Sequence, residues 1–281
     1  MRTITRLAAV VLAAAFPQSP FGASVAGEGA PDNLERVFRI DRNTVENYSY
    51  NNKSLISGQV KAVAIDFQGL NYGALKTEPN PMDEALAAKS VLVIQPWPGP
   101  WHWSNFQAIR QTDLIIAATR EKYGIGGDVP VVVYGRSMGG VSAYNYAVYG
   151  EFPVAGVAGN CPVTDLAHHA TERPDVARGI YRAFAHYDSG VALAVAWHNP
   201  AALVDKLPKV PYFVISTDTD ESVDKEAHAD RFVAALRAKN HSVEYLVVPG
   251  MTHVEFDIPG RFDKYPDVLK RYIDFIAGFA R

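Results

Sequence analysis

The sequence has little cysteine and no strong charge of either sign. Cys161 is the only cysteine among 281 residues, so no disulfide can form within the chain and its stability must come from a hydrophobic core. The formal net charge is −3 and the lysines and arginines do not cluster, which argues against a nucleic-acid-binding surface. Hydrophobic residues make up 48% of the chain, which suits one large domain with a substantial core.

Long apolar runs are also scarce, apart from one at the N-terminus. Leu7–Phe16 is an apolar run that follows two arginines, and it is too short to cross a hydrocarbon core that requires about 20 residues. Small residues follow at Ser24–Ala26, where a signal peptidase would cleave. The pattern predicts a signal peptide over residues 1–26 and an exported mature domain over residues 27–281, periplasmic or secreted, with no stable membrane span after cleavage.

A glycine-rich turn is the most informative motif. Residues 135–140 read Gly-Arg-Ser-Met-Gly-Gly and follow Val129–Tyr134, an apolar stretch typical of a buried strand. The next segment, Gly140–Tyr149, has the apolar face of a helix. This arrangement fits the G-x-S-x-G nucleophile elbow, in which Ser137 is presented at a sharp strand-to-helix turn. The glycines are required because side chains there would clash, and the serine is held in a strained backbone conformation.

Strand-like and helix-like patterns alternate along the mature chain. Such alternation predicts an α/β fold with a mostly parallel sheet flanked by helices. A weaker pattern over Leu34–Ile40 and Thr44–Tyr50 predicts that the domain starts with antiparallel strands. The segment Asp165–Leu207 has no regular pattern. The predicted strands cover residues 60–65, 91–94, 129–134, 154–158, 212–216 and 243–248, and the predicted helices cover residues 81–89, 106–122, 140–149, 225–237 and 267–279.

This order of elements around the elbow resembles the α/β-hydrolase superfamily over about the whole mature chain. Its motifs look most like those of small serine esterases and of the catalytic domains of prolyl-oligopeptidase-type peptidases. The resemblance implies a catalytic serine, then an acid after the strand second from the end, then a histidine after the last strand. Ser137, Asp220 and His253 occupy those places in that order.

The acid has more than one candidate. Asp218 and Asp220 both follow the predicted strand at residues 212–216. Asp220 is favoured because superfamily members usually place the acid a few residues past the apolar stretch, and Asp218 is then expected to hydrogen-bond its own turn. A minority of the superfamily take the acid after the preceding strand, where Asp165 lies.

The resemblance also implies an oxyanion hole made of two backbone N–H groups. Met138, the residue after the nucleophile, supplies one of them. The other comes from the loop after the third strand, which the count of elements places at Phe67–Leu70. Gly69 is the central candidate, and Gln68 and Leu70 remain alternative donors of the N–H. The alternative loop, Gln95–Pro98, is disfavoured because its two prolines have no N–H to donate.

Three tryptophans follow the predicted strand at residues 91–94. Trp97, Trp101 and Trp103 predict either the wall of a substrate pocket or a hydrophobic plug over the core, with no preference between them. No histidine or carboxylate spacing converges as a metal site requires, so neither a metal nor another cofactor is expected. Other histidines are interpreted as structural, in the irregular segment or near polar surface segments; they are His168, His169, His186, His198, His228 and His241.

The segment at residues 165–207 interrupts the alternation where this superfamily usually carries an insert. Its aromatic residues predict a small cap over the active site, with Gly179 and Gly190 as hinges. The competing interpretation is a plain helical connection with the same aromatic residues in the core. Those residues are Tyr181, Phe184, Tyr187 and Trp197.

Together the motifs and the resemblance predict an exported serine hydrolase that cleaves carboxylic esters through an acyl-enzyme. A serine peptidase of the prolyl-oligopeptidase-like type is the alternative. A non-catalytic scaffold used for binding is disfavoured because serine, acid and histidine are all present in order. The expected partner is a small-molecule ester or a short peptide.

Overall fold

The computed structural model of the protein describes residues 39–70 and 73–281. The predicted signal peptide, residues 1–26, and most of the first predicted strand, Leu34–Ile40, lie outside these residues. Within the described part of the chain, no helix is both long enough and apolar enough to cross a membrane.

The described residues contain one sheet of seven strands. These strands are β1 (Ser49–Asn51), β2 (Ala62–Phe67), β3 (Val91–Pro96), β4 (Val131–Arg136), β5 (Val154–Asn160), β6 (Tyr212–Ser216) and β7 (Val243–Val247). Their order across the sheet is β1-β3-β2-β4-β5-β6-β7. Only the pairing of β1 with β3 is antiparallel, which confirms the predicted mostly parallel sheet.

Eight α-helices lie in the described residues. They are α1 (Pro81–Ala88), α2 (Phe106–Tyr123), α3 (Met138–Tyr149), α4 (Leu166–Glu172), α5 (Pro174–Phe184), α6 (Val191–Trp197), α7 (Arg231–Ala238) and α8 (Pro266–Ala277). The predicted helix at residues 225–237 differs most, because a π-helical turn, Glu226–Asp230, precedes α7.

Local sequence explains where the first helices begin and end. The Asn80 side chain accepts a hydrogen bond from the N–H of Asp83, whose carboxylate accepts one from the N–H of Asn80, so a capping box starts α1. Asn105 caps the start of α2 with its side chain. Gly124 ends α2 in the left-handed conformation, with φ 63°.

The sheet is covered on both faces by helices. Alternate residues of β2 point to opposite faces, so Val63 and Ile65 join one apolar cluster and Ala62 and Ala64 join another. Side chains of α2, α3 and α7 complete the first cluster, and side chains of α1 and α8 complete the second. Every residue of β2, β3, β4 and β6 is buried, as expected for parallel strands enclosed on both faces.

The segment at residues 165–207 is more regular than its sequence predicts. It forms the three helices α4, α5 and α6, followed by two short 3-10 turns. Gly179 lies inside α5, where an added Cβ would come within 2.6 Å of the Trp101 ring, so it permits close packing and is not a hinge. Gly190, with φ 83°, precedes α6 and is the only one of the two predicted hinges at a helix boundary.

Candidate active site

Ser137 lies between the end of β4 and the start of α3. Its backbone angles, φ 53° and ψ −120°, are strained for a residue with a side chain. The glycines on either side permit the turn: a Cβ at Gly135 would lie 2.2 Å from the carbonyl oxygen of Gly139, and one at Gly139 would lie 1.9 Å from that of Phe67. The turn therefore has the close backbone approach that the motif predicts.

The strand order places the loop after β2 beside Ser137. Phe67, the last residue of β2, pairs with Gly135 of β4. Gly69 is buried, and a Cβ built on it would lie 3.6 Å from the Cβ of Ser137. β3 lies on the far side of β2, so the alternative segment, Gln95–Pro98, lies at the end of a strand that is not adjacent to β4. Gly69 is thus close to the serine, and Met138 follows the serine in the chain.

His253 and Asp220 meet at the ends of the last two strands. His253 Nδ1 lies 2.7 Å from Asp220 Oδ2, and Asp220 Oδ1 accepts hydrogen bonds from the N–H groups of Ser222 and Val223 at 2.8 and 3.0 Å. Burial raises the pKa of Asp220, but the hydrogen bond with His253 and these N–H groups outweigh it, so its pKa lies below the ordinary value. The carboxylate is therefore ionised and holds the imidazole in one orientation.

The other two acid candidates have different partners. Asp218 Oδ1 accepts a hydrogen bond from the N–H of Gly250 at 2.8 Å, so it holds the loop that carries His253. The prediction that Asp218 bonds its own turn is therefore wrong. Asp165 caps the start of α4 through its side chain. The Thr217 and Thr219 hydroxyls both donate to the carbonyl oxygen of Met251. These bonds fix the loop after β7 on the loop after β6.

Three residues of this region have positive φ although none is glycine. Ser137, Cys161 and Val254 have φ of 53°, 44° and 51°, and they are three of the seven such residues in the described part of the chain. The polar ligand atoms of Cys161, Asp220 and His253 all lie within 4.8 Å of one another. Burial raises the pKa of the Cys161 thiol, so it is a neutral thiol beside the carboxylate. Strain of this kind is typical of functional sites.

A buried charged group, here named the arginine cluster, lies beneath the serine. It consists of Arg136, Asp66 and Asp257, whose side chains are at most 6% exposed. Arg136 Nη1 donates to Asp257 Oδ1 at 2.6 Å, and Nη2 lies 3.5 Å from Asp66 Oδ2. Burial raises the pKa of Asp257 to about 6, and Arg136 opposes this rise.

The arginine cluster continues into the loop after β2, where the oxyanion hole is predicted. Gln95 Nε2 donates to Asp66 Oδ2 at 2.5 Å. The Gln68 amide in turn donates to Gln95 Oε1. A chain of buried polar contacts thus joins the loop after β2, the residue before Ser137 and the loop that follows His253. The signal in the sequence was a charged residue at the end of each of two apolar strands.

The three tryptophans have different environments. Trp103 is fully buried in a third apolar cluster with Met138 and Phe184, as the hydrophobic-plug interpretation expects. Trp101 is half-buried against Gly179 of α5. Trp97 is also half-buried, and its backbone N–H donates to the carbonyl oxygen of Tyr48.

A second polar group, here named the histidine cluster, was missed by the sequence analysis. It consists of His169, Glu172 and His228, whose ligand atoms lie within 4.8 Å of one another. His228 was expected near a polar surface, as were His198 and His241, but all three are buried. Residues 169 and 228 come from separate helical segments, so no local spacing reveals their contact.

The histidine cluster does not fit a metal ion. His228 Nδ1 accepts hydrogen bonds from the N–H groups of Thr164 and Asp165, both at 3.1 Å. In a neutral imidazole the other nitrogen, Nε2, then carries the proton and has no lone pair for a metal. His228 Nε2 lies 3.5 Å from Glu172 Oε2 and, within the described residues, makes no hydrogen bond.

The whole fold is similar to solved structures of hydrolases. Esterase B from Lactobacillus rhamnosis is 17% identical, with a TM-score of 0.57 over 79% of this chain and 78% of that one. An acetyl ester-xyloside bifunctional hydrolase from Caldicellulosiruptor lactoaceticus is 16% identical, with a TM-score of 0.57 over 80% and 86%. A puromycin-hydrolyzing peptidase from Mycobacterium tuberculosis is 16% identical, with a TM-score of 0.64 over 80% of this chain but 35% of that one.

Sequence comparison adds nothing to these structural matches. No family model and no curated protein matches the chain. These solved structures are α/β-hydrolases, and like them this chain has a mostly parallel sheet flanked by helices. The protein has the α/β-hydrolase fold.

Proposed function

We propose that the protein is a serine hydrolase that cleaves carboxylic esters through an acyl-enzyme. His253 takes the proton of the Ser137 hydroxyl as the oxygen attacks the ester carbonyl, and then gives it to the departing alcohol. Asp220 orients His253 and stabilises its charged form. The N–H groups of Met138 and of the Gly69 loop stabilise the oxyanion. Water, activated by His253, then releases the acid and frees the serine.

The observation that carries this proposal is the hydrogen bond of 2.7 Å between His253 and Asp220 at the edge of the sheet that carries Ser137. A strained serine on a glycine elbow has no evident structural purpose, because an unstrained turn would connect β4 and α3 at lower cost. The printed names of the similar structures include esterases and a lipase, which supports ester hydrolysis as the reaction class.

The test uses Ser137→Ala, with Ser189→Ala at an exposed serine as the matched control. Wild-type protein and the control should hydrolyse p-nitrophenyl esters and react with a fluorophosphonate probe, which labels only an activated serine. Ser137→Ala should do neither while keeping the wild-type circular dichroism spectrum. Activity of Ser137→Ala within tenfold of wild type would refute Ser137 as the nucleophile.

A serine peptidase is the second candidate, because a peptidase is among the similar structures. Wild-type protein should therefore also be assayed on aminoacyl anilides. Faster turnover of the anilides than of the esters would replace the esterase proposal with the peptidase one. Probe labelling without turnover of either class would leave the nucleophile assigned and exclude both substrate classes.

Two further proposals concern the chain outside the sheet. We propose that residues 1–26 direct export to the periplasm or the medium, which N-terminal sequencing of the exported protein would test by a start near Gly27. We also propose that residues 165–207 cap the site, because Phe184 and Ile180 of α5 pack in the apolar cluster that contains Met138. The half-buried Trp97 and Trp101 are the proposed pocket wall.

A further inference from the structure

His169 forms a second imidazole–carboxylate pair at the insert. It lies on α4, and its Nδ1 is in hydrogen-bond contact with Oε2 of Glu172, nearly one helical turn later. Its side chain is only 5% exposed. The imidazole packs edge-on against Trp103, with ring centroids 5.6 Å apart, and Trp103 in turn belongs to the apolar cluster that contains Met138.

Glu172 and His228 determine which nitrogen of His169 carries its proton. Burial raises the pKa of Glu172, but its hydrogen bonds, above all the one with His169, outweigh it, so the pKa lies below the ordinary value and Glu172 is an ionised acceptor. His228 Nε2, which carries a proton, lies 3.5 Å from this carboxylate. His169 must therefore donate through Nδ1, which leaves a lone pair on its Nε2.

The Nε2 atom of His169 has no protein partner. Within the described residues it makes no hydrogen bond, and it is not among the fully buried polar atoms that lack one, so a small part of it remains accessible to solvent. Burial, the largest cause, lowers the pKa of His169, although its hydrogen bond with Glu172 opposes this. A neutral imidazole thus presents an acceptor at the insert, where Glu172 Oε1 accepts a hydrogen bond from the N–H of Asp224, four residues after Asp220, at 3.4 Å.

We propose that His169 is a substrate-binding residue whose Nε2 accepts a hydrogen bond from a hydroxyl group of the ester. The enzyme then favours hydroxy esters over esters of the same shape that lack the hydroxyl. This inference rests on the proposed ester hydrolysis at Ser137. Glu172 and His228 act as positioning residues, and no bond is made or broken at His169.

Two matched pairs of esters test the proposal and locate the hydroxyl. The alcohol-side pair is 2-hydroxyethyl butyrate and propyl butyrate, and the acyl-side pair is ethyl 3-hydroxybutyrate and ethyl 3-methylbutyrate. One hydrogen bond to the substrate should favour the hydroxy member of one pair by roughly three- to tenfold in kcat/KM. Equal kcat/KM within both pairs for an enzyme that hydrolyses them would overturn the inference and leave the proposed function standing.

His169→Asn is the informative variant, because the asparagine amide can still donate to Glu172 but does not reach the position of Nε2. Its preference for the hydroxy ester should fall to about one, whereas the exposed control His186→Asn should keep the wild-type ratio. A preserved ratio in a folded His169→Asn protein would overturn the inference. Stoichiometric zinc that survives dialysis and is lost from His169→Asn would overturn it as well, because the metal would occupy the lone pair.

A failure of the parent proposal has a different signature. If wild-type protein hydrolyses none of the four esters nor p-nitrophenyl butyrate, ester hydrolysis itself is refuted and the role of His169 falls with it. If His169→Asn does not fold, as judged by its melting curve, His169→Gln replaces it. The longer glutamine side chain reaches the Nε2 position, so this variant should retain part of the preference for the hydroxy ester. A ratio of kcat/KM for the hydroxy ester to that for its partner above the wild-type value would contradict an acceptor role.

Discussion

The two polar clusters near Ser137 are built on different principles. The arginine cluster joins strand ends through full charges, and its three side chains are at most 6% exposed. The histidine cluster joins helical segments, has two imidazoles whose pKa values burial lowers, and includes Glu172, which is 19% exposed. A buried guanidinium is tolerated only where partners surround it, whereas a neutral imidazole costs less to bury. The sheet side is therefore fixed by ion pairs and the insert side by packing and by a hydrogen bond from a neutral imidazole to the Glu172 carboxylate.

The largest effect should come from the proposed acid, which belongs to neither cluster. Asp220→Asn should lower kcat by about 10⁴, by analogy with other triad aspartates, because the amide favours the wrong imidazole tautomer. Asp218→Asn should lower it far less, because Asp218 bonds only the N–H of Gly250. Steady-state kinetics on a p-nitrophenyl ester measures both. A larger loss of kcat in Asp218→Asn or Asp165→Asn than in Asp220→Asn would assign the role of the acid to that residue instead.

Breaking the arginine cluster should cost more stability than breaking the histidine cluster. Arg136→Met leaves two buried carboxylates without their partner, which should lower the free energy of unfolding by about 3–5 kcal/mol. Glu172→Gln should cost about 1 kcal/mol, because its partners are neutral and it retains one acceptor. Urea denaturation measures both values.

The control for this pair is Arg110→Met, which removes an exposed ion pair with Glu151. It should cost less than about 1 kcal/mol, as surface ion pairs do. The comparison between the clusters would be wrong if Glu172→Gln proved as destabilising as Arg136→Met.

Packing of the insert should respond to Gly179→Ala. The added Cβ would lie 2.6 Å from the Trp101 ring and 2.9 Å from Trp103 Nε1, so α5 or the rings must shift, at a cost of about 1–3 kcal/mol. The near-ultraviolet circular dichroism of the tryptophans should change with it. Arg178→Ala, at the exposed neighbouring residue, should change neither quantity. An unaltered spectrum for Gly179→Ala would contradict the close contact.

The insert should also be the more acid-sensitive region. Burial lowers the pKa of His198 to about 4, from an ordinary value of 6.5. As the pH falls below about 6.5, His198 is protonated in the unfolded chain but stays neutral in the folded protein. The free energy of unfolding therefore falls, by about 1–2 kcal/mol at pH 5. His198 Nδ1 lies 2.8 Å from the carbonyl oxygen of Ala194. In His198→Asn the amide can still donate to this oxygen, but the side chain no longer takes up a proton in this pH range.

Urea denaturation at pH 7 and pH 5 checks this prediction. The stability of His198→Asn should fall less between the two pH values than that of wild type. Equal losses in the two proteins would assign the acid sensitivity to other buried groups, such as His102 or His228, whose pKa values burial also lowers.

Local features of this molecule were predictable from the sequence, and contacts between distant segments were not. The elbow at Ser137 was recognisable because strand, turn and helix are consecutive, and Gly69 followed from counting strands. The partner of Asp218 was not, because Gly250 lies on another loop. The three helices of the insert were not predicted because helices of seven to eleven residues have too few turns to show a clear helical period of apolar residues. Asp66, Arg136 and Asp257 are far apart in sequence, so only the fold joins them.

The buried position of Cys161 makes the protein convenient for site-directed labelling. It is the chain's only cysteine, it is 1% exposed, and burial raises its pKa, so maleimides should leave the native protein unmodified. Tyr181, on the outer side of α5, is 60% exposed. Tyr181→Cys would therefore introduce a single reactive thiol on the insert, where a fluorophore or spin label could follow its motion during turnover.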